Sequence, residues 1–372
     1  VLATAPRLGR RIVWGGIVVL VVAFAVAPVL LSHDVYSYVD YARLGVRHGL
    51  DPYVHPPRAA PSDPAYAHVT WINTTSVYGP LFTLVTYPLA WLPVSVAVGV
   101  LKAVAALSVL GIALLVSRMA AWRGVDPLRA AAFVALNPLV LVHVVGGAHN
   151  DGLTMLLVTL SVATLLSARE FSSGATLVAA IATKASAAFL APFALLATGR
   201  NVKPPSPTGL NVQPGETYRP VGIARTTFRP VVRLVVGALG VAALAGVAAW
   251  LAFGWDWLHG FELAEENQRL TSHLSMPITV ARLTGLDPDP VRLAAGILFA
   301  ALVAYLLVWT WRGGDWVRAA AWTAFALLLA TAWLLPWYLL WPLPLVAISR
   351  DRSLQLLTLG LTAFQLGARI PL

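Results

Sequence analysis

The chain has 372 residues, of which 58% are hydrophobic and only 11% charged, with a mean hydropathy of +0.75. That balance excludes a soluble domain and places the sequence among integral membrane proteins. The net charge of +10 is carried by Lys and Arg in short segments beside apolar runs, which points to membrane orientation and not to nucleic acid. With no Cys, disulfide and thiolate chemistry are excluded.

The first apolar run, residues 12–31, is long enough to cross a bilayer as a helix. Arg7, Arg10 and Arg11 before it set a cytoplasmic start, so the span runs outward. No cleavable signal is expected, because the run exceeds an h-region and lacks a small-residue cleavage pattern. The missing initiator Met reads as an alternative start codon or a trimmed chain. Residues 32–78, rich in Pro, Tyr and His, then form a first external loop. The apolar piece 80–92 is bounded by Gly79-Pro80 and Pro93 and is too short to span, so it lies at the outer interface.

Residues 94–117 run inward to Arg118 and Arg123, 128–146 outward to Gly146-Gly147, and 150–168 back to Arg169. Segment 172–198 cannot be one crossing without placing Arg200, Lys203, Arg219, Arg225, Arg229 and Arg233 outside. Splitting it at Lys184-Ala185-Ser186 gives two short helices that enter and return, with Lys184 facing a wet cavity. Residues 199–230, with six Pro, are then a cytoplasmic linker, and 231–253 cross outward. Residues 254–290 form a second large external loop holding Trp255, Trp257, His259, Glu262, Glu265, Glu266, Arg269, His273 and Arg282. Spans at 291–311, 316–335, 337–349 and 353–370 complete the chain, with Arg312, Arg318, Arg350 and Arg352 inside. The expected fold is therefore all-α: one polytopic transmembrane bundle over 1–372, of about 9–12 spanning or broken helices with external loops.

This topology brings the candidate chemistry to the outer face. Asp34 directly follows the first span, and on a helix over 35–47 it shares a face with Tyr38 and Tyr41. The alternative is that Asp34 only caps that helix. Asp40, Arg43 and Arg47 lie on another face, as a surface ion pair or a phosphate clamp. His149-Asn150-Asp151 opens a helix after a glycine turn, where one polar residue would suffice as a cap and three suggest hydroxyl recognition. Lys184 reads as a ligand for an anion such as a lipid phosphate or as a snorkelling side chain, and Lys102 as the latter. Arg282, in the amphipathic piece 276–283, is an interfacial anchor or a phosphate ligand. Tyr36 flanks the acid, and Trp337 and Tyr338 in an aromatic turn would supply walls.

No metal site is read from the sequence. Asp287-Pro288-Asp289 resembles a DxD, but its prolines make it a turn into the helix at 291, and the eight His show no zinc spacing. There is no P-loop or Rossmann glycine pattern, so no nucleotide cofactor is supported, while a divalent metal carried by substrate phosphates is left open.

The strings SHDVYSYVDYARLGVRHGLDPYVHPP (32–57), SVYGPLFTLV (76–85), ALNPLVLVHVVGGAHNDG (135–152), ATKASAAFLAPF (182–193) and LLPWYLLWPLP (334–344) resemble the actinobacterial polyprenyl-phosphomannose-dependent α-1,6-mannosyltransferases. These are GT-C class membrane glycosyltransferases, and typical members are longer, so the last spans are expected to be reduced or missing. The resemblance implies a polyprenyl-phosphate sugar donor in place of a nucleotide sugar and a glycan or glycolipid acceptor of the cell envelope. It also implies an extracytoplasmic site in the cell membrane, and inversion with the acid after the first helix, here Asp34, as base.

In that scheme Lys184 and Arg282 would hold phosphate, His149, Asn150 and Asp151 sugar hydroxyls, and Trp337 and Tyr338 a sugar ring. Three other readings stand beside it: a flippase for polyprenyl-linked glycolipid, an arabinosyl or glucosyl transferase using the same donor class, and a structural membrane subunit.

Overall fold

A computed structural model describes residues 9–199, 228–266 and 270–368. The expected linker therefore lies outside the described residues for 200–227, as do Arg7 and Arg269. Every regular element described is helical. Among the described residues, three helices are long and apolar enough to cross a membrane: Val94–Trp122, Phe228–Phe253 and Pro288–Trp311.

The chain begins with α1 (Arg10–Val26), which stops before Pro28, and continues into α2 (Asp34–His48), the amphipathic helix that follows the first acid. Gly49 ends α2 in the left-handed conformation at φ +65°, a C-terminal stop that glycine makes without Cβ strain. After the loop come α3 (Pro80–Thr86) and a 3₁₀ segment, Tyr87–Trp91. The spine is α4 (Val94–Trp122), an uninterrupted apolar helix against which α1, α2, α5 (Pro127–Ala135) and α6 (Asp151–Leu166) pack.

Where one span over 128–146 is expected, the chain breaks. Pro138 supplies no N–H, and α5 ends ahead of it at Ala135. The break is satisfied locally: Leu139 donates its N–H to Asn137 Oδ1 at 3.0 Å, and Asn137 Nδ2 donates to Thr362 Oγ1 at 3.2 Å. A π-helical turn, Val140–Val145, carries the chain on to Gly146.

The second interruption falls where expected. Helix α7 (Glu170–Thr183) ends at Lys184, whose backbone is extended at φ −158° and ψ 123°, and a 3₁₀ segment (Ala185–Leu190) leads into α8 (Ala191–Ala197). Gly79 lies directly against the freed carbonyls here, and its N–H donates to Thr183 O at 3.1 Å.

Helix α9 (Phe228–Phe253) packs on α7 through two glycines. A Cβ on Gly174 would strike the Leu234 carbonyl, and one on Gly237 the Phe171 carbonyl. Two backbones this close need small residues, the usual means of helix association in lipid.

The segment expected as a second external loop is not an open loop. It holds a 3₁₀ turn (Asp256–Leu258), α10 (His259–Glu266) and α11 (Met276–Thr284). Helix α12 (Pro288–Trp311) follows, capped by Asp287, which accepts from Asp289 N at 2.8 Å. The chain ends in α13 (Trp316–Ala330), a 3₁₀ turn (Pro336–Leu340), α14 (Leu343–Ile348) and α15 (Arg352–Gly367).

Charged groups fasten the two ends of the spine. Lys102 does not snorkel: it is buried, and its ammonium donates to the carbonyls of Pro28 at 3.1 Å and Gly146 at 3.2 Å, and also to that of Ala27. The carbonyls of Ala27 and Pro28 belong to the end of α1, and that of Gly146, at the end of the π turn, also accepts from Leu30 N at 3.2 Å. Roughly 30 Å along α4, by the helical rise per residue, Arg123 pairs with Asp315 and donates to Ile348 O at 2.8 Å. Beside it Asp351 caps α15 and accepts from Arg318 Nε at 2.8 Å and Trp322 Nε1 at 2.9 Å.

Nor are Asp40 and Arg43 a surface pair or a phosphate clamp. Both are buried, and Arg43 donates to Asp63 Oδ1 at 2.7 Å and Ala90 O at 3.0 Å, while His48 Nε2 meets Asp63 Oδ2 at 2.8 Å. This node fixes the loop after α2 onto its helix, and Arg47 lies over the Trp91 ring at 5.5 Å. Asp40 Oδ2 has no hydrogen-bond partner. Burial raises the Asp40 carboxyl, with the Asp63 charge adding and His48 and Arg43 opposing, to about 7.

Two outcomes follow. Gly237→Leu forces α9 off α7 and costs about 1–3 kcal/mol by overpacking. This is read as a lowered melting temperature in detergent, with Gly237→Ala milder, and an unchanged melt would contradict the packing. Asp40 binds its proton more tightly folded than unfolded, so stability declines as pH rises from the ordinary carboxylate range to about 7. Asp40→Asn flattens the melting temperature over that interval, and a slope equal to that of the parent protein would contradict the assignment.

Candidate active site

A cavity of about 640 Å³ opens where α2, the 69–78 loop, the start of α6, the break after α7 and the 331–341 segment meet. Its walls are mostly aromatic, from Tyr38, Tyr41, Trp71, Tyr78, Trp333, Trp337, Tyr338 and Trp341. Its charged and ionisable polar groups Asp34, His149 and Lys184, with Asn150, arrive from helix ends or a break.

Asp34 is the first residue of α2, yet it does not cap that helix. The N-cap is His33, which makes no side-chain cap bond. The Asp34 carboxylate turns instead to the cavity, with its side chain 17% exposed. Trp71 Nε1 donates to Oδ1 at 3.2 Å, and His149 Nδ1 lies 3.7 Å from Oδ2. Burial raises this carboxyl above the usual range, against the Trp71 hydrogen bond and the Lys184 charge, with the Asp151 charge adding to the rise.

The triplet 149–151 divides its labour. Ala148, at φ +53°, turns the backbone after the two glycines and delivers His149 and Asn150 to the cavity wall. Asn150 is the N-cap of α6 by position, but its side chain makes no cap bond. Both ring nitrogens of His149 and both amide atoms of Asn150 are buried without a hydrogen-bond partner. Buried polar atoms left unpaired cost stability, so their retention at one wall of a cavity marks a surface prepared for a polar ligand. The His149 ring stacks on Trp337, centroids 3.7 Å apart and planes 19° from parallel. Burial, with Lys184 and His143 nearby, holds His149 well below the usual histidine range, so it is neutral.

Asp151 is different. It is fully buried and satisfied, with Lys184 Nζ at 2.9 and 2.8 Å from its two oxygens and Trp341 Nε1 at 2.6 Å from Oδ1. It does not reach the cavity, and its task is to hold Lys184. The Lys184 side chain is 19% exposed and lines the cavity, with its ammonium over the Tyr338 and Trp341 rings at 5.2 and 5.7 Å. The ammonium has three donors and spends two on Asp151.

Of the residues singled out from the sequence, Asp34, Tyr38, His149, Asn150, Lys184, Trp337 and Tyr338 line this one cavity. Tyr36 does not: two residues on from Asp34, it faces away and stacks on His68, centroids 4.9 Å apart. Arg282 is exposed on α11 and is not among the lining residues. Among the described residues, no group of three or more His, Asp or Glu is close enough to hold a metal ion. Trp71, Tyr78, Trp333 and Trp341 enter the site unannounced by sequence pattern, although Trp341 follows Trp337 at a helical interval.

A carboxylate with a raised proton affinity, neutral polar atoms awaiting partners, aromatic faces and one cation at the back suit a polar, ring-shaped ligand carrying an anion. A sequence profile described as alpha-(1->6)-mannopyranosyltransferase, N-terminal domain, matches residues 2–200. Over 356 residues the chain is 30% identical to alpha-(1->6)-mannopyranosyltransferase A of Mycobacterium tuberculosis, covering 86% of this chain and 63% of that protein. To alpha-(1->6)-mannopyranosyltransferase A of Corynebacterium glutamicum it is 27% identical over 365 residues, covering 90% and 70%. The chain thus spans about two thirds of the length of these relatives. No solved structure matches it significantly. With more than half of its length matched by one profile and Asp34, His149, Asn150 and Lys184 all inside the matched part, the chain belongs to the alpha-(1->6)-mannopyranosyltransferase family.

Proposed function

We propose that this protein is a multi-pass membrane mannosyltransferase whose cavity faces the extracytoplasmic side. It takes mannose from a polyprenyl-phosphate donor and places it on a hydroxyl of a cell-envelope glycan or glycolipid. The observation that carries this reading is the meeting, in one aromatic cavity, of the Asp34 carboxylate with the unpartnered atoms of His149 and Asn150 and the Lys184 ammonium. An uncharged lipid or a simple channel would need none of these.

In the proposed step, the acceptor hydroxyl oxygen bonds to the anomeric carbon while the bond from that carbon to the phosphate oxygen breaks. The bonding pair leaves with the lipid phosphate, and the hydroxyl proton passes to Asp34. Direct displacement of this kind inverts the anomeric centre. It calls for one base, and Asp34 is the carboxylate that lines the cavity among the described residues. Lys184 supplies positive charge for the departing phosphate, while Asp151 and Trp341 hold it in place. His149, being neutral, can both donate and accept, as sugar hydroxyl recognition requires.

Asp34→Asn removes the base while keeping the shape and the Trp71 contact. Transfer of labelled mannose from polyprenyl phosphomannose falls by about a hundredfold or more, with the melting temperature unchanged. Full activity in that variant would sink the mechanism. Because the Asp34 carboxyl is raised, it is protonated and inactive at pH values where an ordinary carboxylate is already ionised. The acid limb of the pH–rate profile therefore lies above the ordinary carboxylate range, and a limb inside that range would contradict the assignment.

A further inference from the structure

The contacts of the cavity form an ordered series with Asp34 at its joint. On one side, Asp34 Oδ1 takes the Trp71 indole N–H at 3.2 Å, and the Trp71 ring meets Trp333 edge-on at 6.2 Å and 80°. On the other, Asp34 Oδ2 faces His149 at 3.7 Å. His149 stacks on Trp337, Trp337 meets Tyr338 at 6.1 Å, and the Tyr338 ring receives the Lys184 ammonium. The two sides differ in kind. The Lys184 side is partly buried and holds the cation, whereas Trp71 is 41% exposed and, among the described residues, no cation lines the cavity beside it. A donor carrying a phosphate belongs with the cation. A neutral acceptor arriving from outside belongs on the exposed aromatic side.

We propose that Trp71 and Trp333 form the acceptor-sugar subsite, and that Trp71 is also the positioning residue of the base, its indole N–H fixing Asp34 Oδ1 so that Oδ2 is the oxygen left to take the acceptor proton. This rests on the reading of the chain as a glycosyltransferase and names its acceptor side. Indole N–H is a donor only, so this bond orients the carboxylate in one sense and favours its ionised form. The ring faces of Trp71 and Trp333 are large, stiff and apolar, with few rotatable bonds to order when a sugar ring lies on them. One side chain thereby links acceptor binding to the orientation of the acid. An acceptor that packs on Trp71 also steadies the indole that aims Asp34. The two functions of Trp71 are separable by substitution, because Phe keeps the ring and lacks the N–H.

The test uses the full chain in detergent, a synthetic alkyl α-mannobioside as acceptor probe and polyprenyl phosphomannose as donor. Binding of the mannobioside alone is measured by titration calorimetry. Trp71→Ala and Trp333→Ala weaken it by about tenfold or more, and Trp71→Phe stays within about twofold. In the transfer assay, Trp71→Phe lowers kcat by about tenfold, the worth of one charge-assisted hydrogen bond. Its acid limb moves to higher pH, because a bond favouring the ionised Asp34 has gone, and its acceptor KM is little changed. Trp333→Ala raises acceptor KM and leaves the pH profile in place. Donor KM is unchanged in all three, and melting temperatures confirm folding.

The subsite is overturned if the parent chain does not bind the mannobioside or if Trp71→Ala and Trp333→Ala bind it normally. The positioning role is overturned if Trp71→Phe keeps the parent kcat and pH profile, or if it raises donor KM. Failure here is distinct from failure of the proposed function. An inactive Asp34→Asn beside an unaffected Trp71→Phe removes only this inference, while a fully active Asp34→Asn removes the reading beneath it.

Discussion

The pair of buried Asp151 and half-buried Lys184 is the interaction on which the architecture of the site depends. An uncompensated charge in a low-dielectric interior is costly, and removing one partner of such a pair costs about 3–5 kcal/mol. Asp151 opens α6, Lys184 terminates α7, and Trp341, which completes the carboxylate's hydrogen bonding, follows the Pro336–Leu340 turn. Three separate interruptions of the bundle are thus drawn to one point because none of the three polar groups can be left alone. The cavity lies at the place where these interruptions prevent the helices from closing on one another.

The same economy of polar groups explains the rest of the bundle. Lys102 ties the carbonyls at the end of α1 to that of Gly146, and Asn137 bridges the break at Pro138 to α15. Arg123, Asp315, Arg350 and Asp351 fasten the opposite end of the spine. Among the buried polar atoms without a hydrogen-bond partner, those of His149 and Asn150 stand together at the cavity wall, whereas that of Asp40 lies away from it. Asp34 and Asn150 each occupy a helix start, but neither spends its side chain on capping. Both are held available for something else.

Much of this was legible in the sequence, and the misses share a cause. The helical class and the break at Lys184 follow from hydropathy and the placement of basic residues, which are local signals. Asp34, Tyr38 and the 149–151 triplet stand out because polar residues at the edge of an apolar run have a price. Partner identity is a different matter: Lys184 meets Asp151 across 33 residues, Arg43 meets Asp63 across 20, and Trp71 meets Asp34 across 37. No periodicity links such positions, so Arg43 read as a surface residue, Lys102 as snorkelling and Asp151 as a sugar ligand. Tyr36 was assigned by nearness in sequence to Asp34, whereas a helix turns it to the opposite face. Trp71 lies in a Pro-rich loop without pattern, and only the fold brings it to the acid.

The central claim is a direct, inverting displacement at a lipid phosphosugar, governed by one base and one paired cation. Incubation of the purified chain with β-linked polyprenyl phosphomannose and an acceptor glycan, followed by NMR of the product's anomeric proton and carbon, tests it most directly. The account predicts an α-linked mannosyl product formed without any nucleotide sugar. A β-linked product, or transfer only from a nucleotide sugar, would contradict it.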